Sequence, residues 1–312
     1  MEQEKTSAHF TASEAVQALG KGFDVTLDLR LAGCKGPHGR LVELDDTGRG
    51  DLFVQDRVVI PNVSKDIRCD KGEFTHFRSE VLTFHQMSER FNQELSITGK
   101  MPLGLFNHMY SFNGPWQADA SSTKSLALDG RFITSYKLQI AKSPLVLRDE
   151  VKRAVPASWD PAALAKFIDT YGTHVIVSIK VGGKDVLYVR QHQSSPLSTT
   201  ELQKLIKRFA DQRFADTNGS VSDPRNVKNK MQPDLLAGRL PIESDTITAK
   251  EDVEIIFRRR GGSNLLRNHN EWLKTVAEAP DVISMTFVPI TSLLNGVLGS
   301  GFLSHAVNLY LR

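Results

Sequence analysis

From Val175 to Arg190 β-branched residues dominate the chain, interrupted once by Gly182-Gly183. This predicts a long strand with a bend or bulge at the glycine pair, where two Cβ atoms are missing. Other extended segments surround it. Phe23, Val25, Leu27, Leu29 and Leu31 alternate with Asp24, Thr26, Asp28 and Arg30, so a half-buried strand is expected from Gly22 to Ala32. A second alternating strand runs from about Arg131 to Ala141, with Phe132, Thr134, Tyr136, Leu138 and Ile140 on one side. Val253, Ile255 and Phe257 mark another strand that ends near Gly261-Gly262, and Val282 to Val288 reads as the last.

Helical spacing appears between these strands. Val81, Phe84, Met87, Phe91 and Leu95 recur on a helical period within Phe77 to Phe112, before Gly99, Pro102, Gly104 and Gly114 break the pattern. Leu145 to Val155 looks helical. Asp160 followed by Pro161 starts a short helix over Ala162 to Thr170, with Leu164, Phe167 and Ile168 inward. Leu202, Leu205, Ile206 and Phe209 mark one more, and Trp272, Leu273 and Val276 another. Long strands separated by long, partly helical insertions fit one α+β domain on an antiparallel sheet, not a doubly wound fold.

The 312 residues carry a net charge of only +3, which makes nucleic acid an unlikely partner. At 40% hydrophobic residues a buried core is expected. No run of about 18 apolar residues occurs, which excludes a spanning helix. Residues 1–10 hold no apolar stretch of the secretory type, and Cys34 and Cys69 offer no disulfide framework, so the expected compartment is cytosolic. Under that reading the glycosylation patterns at Asn62 and Asn218 are chance.

Catalytic motifs are missing: there is no HExxH, Gly-x-Ser-x-Gly elbow, P-loop or CxxC pair. Gly296, Gly299 and Gly301 stand in the wrong order for a phosphate loop. His76, His85 and His108 share a segment without metal-ligand spacing. His174 beside an apolar strand reads as hydrogen-bonded structure, with no nucleophile or carboxylate partner assignable by spacing. The expectation is a non-enzyme with no cofactor and no metal.

Tyr171-Gly172-Thr173-His174-Val175, followed after six residues by Gly182-Gly183, resembles the signature of the membrane-attack-complex/perforin (MACPF) family. Val175 stands where that family usually has Phe or Tyr. Gly22-Phe23-Asp24-Val25-Thr26, Cys34-Lys35-Gly36, Gly99-Lys100 through Phe106-Asn107, and Ala154-Val155-Pro156 through Trp159-Asp160-Pro161 look like the plant branch. The resemblance covers about Ala15 to Arg312 and is nearest to the cell-death-regulating plant members, the constitutively activated cell death and necrotic spotted lesions group.

The resemblance implies a bent, twisted four-stranded antiparallel sheet flanked by two helical clusters, here about His76 to Asn113 and Gln193 to Lys250. In pore-forming members these clusters unfurl into amphipathic hairpins and many subunits close a barrel. Gly182, Gly183, Gly261 and Gly262 would lie at the bend, as a hinge that lets the sheet open or as an ordinary bulge. Tyr171 and His174 would support packing of the third strand against the helix before it. Plant relatives continue past such a domain, so a C-terminal domain would be absent from this chain.

Each cluster is long enough for strands of about 9–11 residues across a bilayer, but neither has a clean lipid face. In the first, Val81, Thr83, His85, Met87, Glu89, Phe91, Gln93, Leu95 and Ile97 put Glu89 near the membrane midplane. In the second, both alternating faces between Glu201 and Phe214 are charged. Leu197 to Gln232 holds seven basic against four acidic side chains, an excess equal to that of the whole chain. Lys204, Lys207, Arg208 and Arg213 are therefore the candidate contacts for anionic lipids, or for an acidic protein partner. The resemblance implies a perforin-like protein peripheral to the inner face of the plasma membrane, self-associating, and restraining programmed cell death and salicylic-acid-linked defence. The alternative is a soluble cytosolic interaction module that kept the fold without membrane insertion.

Overall fold

In the computed structural model of the chain, residues 2–45, 47–55, 58–97, 104–214, 246–249, 252–266 and 268–311 are described. Two strands set the architecture: β7 (Thr123–Ile140) and β8 (His174–His192) pair antiparallel over nearly their whole lengths. Their outer neighbours come in halves. On the far side of β7, β5 (Ile67–Lys71) and β6 (Phe74–Arg78) follow one another in line. On the far side of β8, β10 (Val253–Arg260) pairs with Lys184 to Gln191, and β11 (Asp281–Pro289) with His174 to Gly182. The result is an antiparallel sheet four strands wide, as the MACPF resemblance implies. Small additions border it: β1 (Gly22–Phe23) and β2 (Cys34–Lys35) at the start of β8, and β9 (Thr246–Ala249) beside β10. A separate hairpin is formed by β3 (Arg49–Gln55) and β4 (Val58–Ser64).

The irregularities of all four strand positions fall at one level. The first strand breaks between β5 and β6, where the Thr134 N–H donates to the Glu73 carbonyl at 2.8 Å. In the second, the register with β8 shifts between Thr134 and Tyr136. The third carries Gly182-Gly183, where β8 exchanges β11 for β10, and the fourth reaches Gly261-Gly262. A Cβ on Gly182 would stand 1.9 Å from the Ile133 carbonyl oxygen. At Gly261, where φ is +72°, it would stand 2.2 Å from the carbonyl oxygen of Gly182. Neighbouring backbones thus occupy the space that side chains would need.

The first insertion, between β6 and β7, holds α2 (Phe84–Glu94), α3 (Gly104–Met109) and α4 (Trp116–Ser122). Its boundaries differ from the expectation: His76, Phe77 and Arg78 belong to β6 because they pair with Arg131, Gly130 and Asp129, and the helices continue past Asn113. Thr83 and Gln86 close a capping box that starts α2, one turn later than the apolar period begins. Of the second insertion, between β8 and β10, α7 (Thr199–Phe214) and β9 are described, while 215–245, 250 and 251 lie outside the described residues.

Helix α6 (Pro161–Tyr171) forms as expected: the Asp160 carboxylate accepts the N–H groups of Ala162 and Ala163, and Leu164, Phe167 and Ile168 are buried. Three other readings change. The alternation over 22–32 is not a continuous strand, because Asp24 takes the Thr26 N–H at 3.0 Å and its hydroxyl at 2.8 Å and turns the chain. In 145–155 only α5 (Asp149–Arg153) is helical; Leu147 bridges Val42 in extended form, and Val146 accepts from Glu43. The N-terminal helix α1 (Glu2–Ala18) has no counterpart in the expected elements. It buries the small residues Ala8, Ala12 and Ala15 beside Val16, and the Arg40 guanidinium donates to the Val16 and Leu19 carbonyls at its end. The short α8 (His269–Thr275) precedes β11, and α9 (Ser300–Tyr310) packs along α6.

The apolar interior divides in two. A large cluster joins α1, α2, α3, α6 and α9 to β7, β8 and β11. A smaller one lies between α7, through Leu202, Ile206 and Phe209, and the face made by Ala127, Leu187, Val189, Val253, Ile255 and Phe257.

Gly182→Ala should cost on the order of 3 kcal/mol, since a backbone oxygen must move. Gly50→Ala, with nothing within 4 Å of the added methyl group, should leave stability nearly unchanged. Urea unfolding of the two variants checks this, and equal midpoints would contradict the close approach at Gly182.

Candidate functional site

The candidate residues gather at two levels of β8: the signature at its start and the glycine pair with its charged neighbours near its middle. The signature ties three elements together. Gly172 ends α6 with φ +80°, and a Cβ there would meet the Phe23 backbone at 2.6 Å. The Thr173 N–H and hydroxyl both donate to the Phe23 carbonyl, at 3.0 and 3.3 Å, and the hydroxyl accepts the Val25 N–H at 3.4 Å. The Thr173 carbonyl accepts from Ile290 just past β11. His174 Nδ1 lies 2.9 Å from the Thr173 hydroxyl, and the ring meets Phe287 edge-on at 6.2 Å. Burial pushes the His174 imidazole down to about 4, so it stays neutral at physiological pH. Tyr171 packs on Phe167 within α6.

Beyond the glycine pair, successive residues of β8 project to opposite faces. Lys184 is buried on one face and donates to the Ile283 carbonyl at 3.3 Å. Burial, with the Arg260 charge adding, lowers its ammonium to about 8. Arg260 fastens this side, donating to the Leu29 carbonyl at 2.7 Å and pairing with Asp281 at 3.2 Å.

Asp185 faces the other way, toward the second insertion, and is fully buried. Arg213 of α7 grips Oδ1 through Nε at 3.1 Å and Nη2 at 2.8 Å. On Oδ2, Arg259 of β10 donates from 2.6 Å and His269 Nδ1 of α8 lies at 3.0 Å. Burial alone would raise this carboxyl, but the His269 hydrogen bond and the Arg213 and Arg259 charges outweigh it and hold it well below the usual carboxylate range. Aromatic faces complete the lining: Arg213 lies over Phe257 at 4.9 Å and Arg259 over Trp272 at 4.8 Å. The Trp272 indole N–H donates to the Gly261 carbonyl at 2.7 Å, linking this cluster to the glycine level.

Of the four candidate lipid contacts, Lys204, Lys207 and Arg208 are exposed on one side of α7. Arg213 is a correction: only 4% exposed, it is turned inward by Asp185 and is no surface charge. Sequence reasoning also missed Asp185, Arg259 and His269. The available signal was the adjacent charged pair Lys184-Asp185 directly after the glycines, on a strand that turns apolar again at Val186 and Leu187. Among the described residues no group of side chains is arranged to hold a metal ion, and no helix is long and apolar enough to cross a membrane.

Known proteins match this architecture. The MAC/Perforin domain family model matches residues 8–312. The MACPF domain-containing protein NSL1 of Arabidopsis thaliana is 48% identical over 99% of this chain and 52% of its own length. The MACPF domain-containing protein CAD1 of the same plant is 46% identical, over 97% of this chain and 50% of its own length. This chain therefore belongs to the MAC/Perforin domain family. It spans about half the length of those curated relatives. The crystal structure of GNIP1Aa from Chromobacterium piscinae shares the fold with a TM-score of 0.64, at 12% identity, over 95% of this chain and 56% of that one.

His174 gives a pH test. Its folded-state value of about 4 lies below the ordinary 6.5, so in that window the unfolded chain binds more protons than the folded one. Stability should fall as pH drops from about 6.5 to about 4, by on the order of 3 kcal/mol. In His174→Gln that part of the slope should vanish; an unchanged slope in urea titrations would rule out a buried neutral imidazole.

Proposed function

We propose that this chain forms one perforin-like, non-enzymatic domain that binds anionic membrane surfaces from the cytoplasmic side. The observation that carries the reading is the placement of Lys204, Lys207 and Arg208 on the exposed side of α7, opposite the apolar side formed by Leu202, Ile206 and Phe209. Glu201 on that helix is engaged by Ser198, with the Ser198 N–H donating at 2.8 Å, which leaves Asp211 as the facing acid. Three basic groups near an anionic leaflet contribute about 1 kcal/mol each.

In this reading α2 to α4 and α7 with the residues after it unfurl as hairpins, the glycine level serves as the hinge, and copies of the chain self-associate. By kinship with the plant members, the protein restrains programmed cell death and salicylic-acid-linked defence at the inner face of the plasma membrane. The charged alternating faces between Glu201 and Phe214 favour a second reading, an interaction module that kept the fold without insertion.

Cosedimentation with phosphatidylserine-containing vesicles tests the first reading. Lys204→Ala/Lys207→Ala/Arg208→Ala should weaken binding about a hundredfold, as three such contacts require. Equal binding by parent and variant, or no binding by either, would overturn it. Binding without dye leakage would favour the second reading.

A further inference from the structure

We propose that the Asp185–Arg213 pair is a latch that holds α7 on the sheet, built so that it opens without stranding a buried charge. The inference deepens the reading above and rests on α7 being a segment that leaves the sheet. Its basis is how the three partners of Asp185 are divided. Arg213, on α7, supplies two donors to Oδ1 at 2.8 and 3.1 Å, and its Nε also reaches Oδ2 at 3.3 Å. Arg259 and His269, which sit on β10 and α8, face Oδ2 at 2.6 and 3.0 Å. When α7 departs, Asp185 keeps Arg259 and His269, and water reaches Oδ1 across the face that α7 uncovers. Arg213 departs into solvent.

A buried pair normally resists opening because the group left behind is an uncompensated charge. Here Arg259 stays as the counterion, and the His269 contact at 3.0 Å stays with it. Arg131 opposes Asp185 in the β7–β8 register and lies over the Phe214 ring at 5.0 Å, a further cation beside the same junction. The position of the latch also matters. Asp185 follows Gly182-Gly183 by two residues, and the Trp272 indole joins its surroundings to Gly261. A change of geometry at the glycine level therefore moves the carboxylate that Arg213 grips, and loss of Arg213 frees the same level.

Hydrogen–deuterium exchange of the 312-residue chain without membranes reads the latch directly. Arg213→Met keeps the apolar stem and removes the fork. It should speed exchange in α7 by about tenfold or more, the factor expected when a charge-assisted hydrogen bond is withdrawn, while β8, β10 and α8 stay protected. In Asp185→Asn, which also deprives Arg259 and His269 of their anchor, exchange should rise in α7 and α8 together. Unchanged α7 exchange in Arg213→Met would overturn the latch. So would a uniform rise through β8, which would make Arg213 an ordinary core residue. Dye leakage from phosphatidylserine vesicles separates the two readings: α7 freed with no leakage leaves the latch standing and removes pore formation.

Discussion

The close approach of backbones at Gly182 governs the rest of the molecule. With a Cβ at that position 1.9 Å from the Ile133 oxygen, β7 and β8 can adopt this register only if β8 is bare there. Once they do, the exchange of β11 for β10 along β8, the break between β5 and β6, and the packing of Gly261 on Gly182 fall at one level. The two insertions leave the sheet on the same side of that level, from the ends of β6 and β8. Sheet irregularity and insertion geometry are thus one constraint.

Two polar nodes flank this level and differ in kind. The Thr173 node is made mostly of uncharged bonds to backbone, from Phe23, Val25 and Ile290, and His174 beside it is neutral. Such a node fastens chain segments distant in sequence without a charge to desolvate. The Asp185 node is ionic, fully buried and shared among three elements. Its strength depends on all partners being in place, which makes it sensitive to movement in a way the Thr173 node is not.

Legibility from sequence followed the range of the interactions. The long strand around Val175 to Arg190, the helix capped by Asp160 and the glycine pairs were readable because local composition sets them. The strand expected over 22–32 failed because period-two alternation cannot reveal that Asp24 bonds to Thr26. Helix α1 was missed because its buried stripe is alanine, which contrasts little with the serine and threonine around it. Among the candidate contacts, Arg213 was misplaced for a different reason. A basic residue on a charged helix reads as solvated until the tertiary fold sets Asp185 beneath it, and no spacing rule connects positions 185 and 213.

The split of the apolar interior has a kinetic consequence. Among the described residues the smaller cluster lies between α7 and one sheet face, with Val81 and Leu197 at its margin, so separation uncovers both of its halves at once. The face so bared, from Ala127 to Phe257, is pleated and made largely of branched residues, a surface that adheres to its own kind. The fate of an opened molecule is then a race between reclosing, which is first order, and encounter with another opened copy, which is second order. Crowding on a surface raises the second-order branch without any change in the stability of the closed fold, and so tips that race toward association.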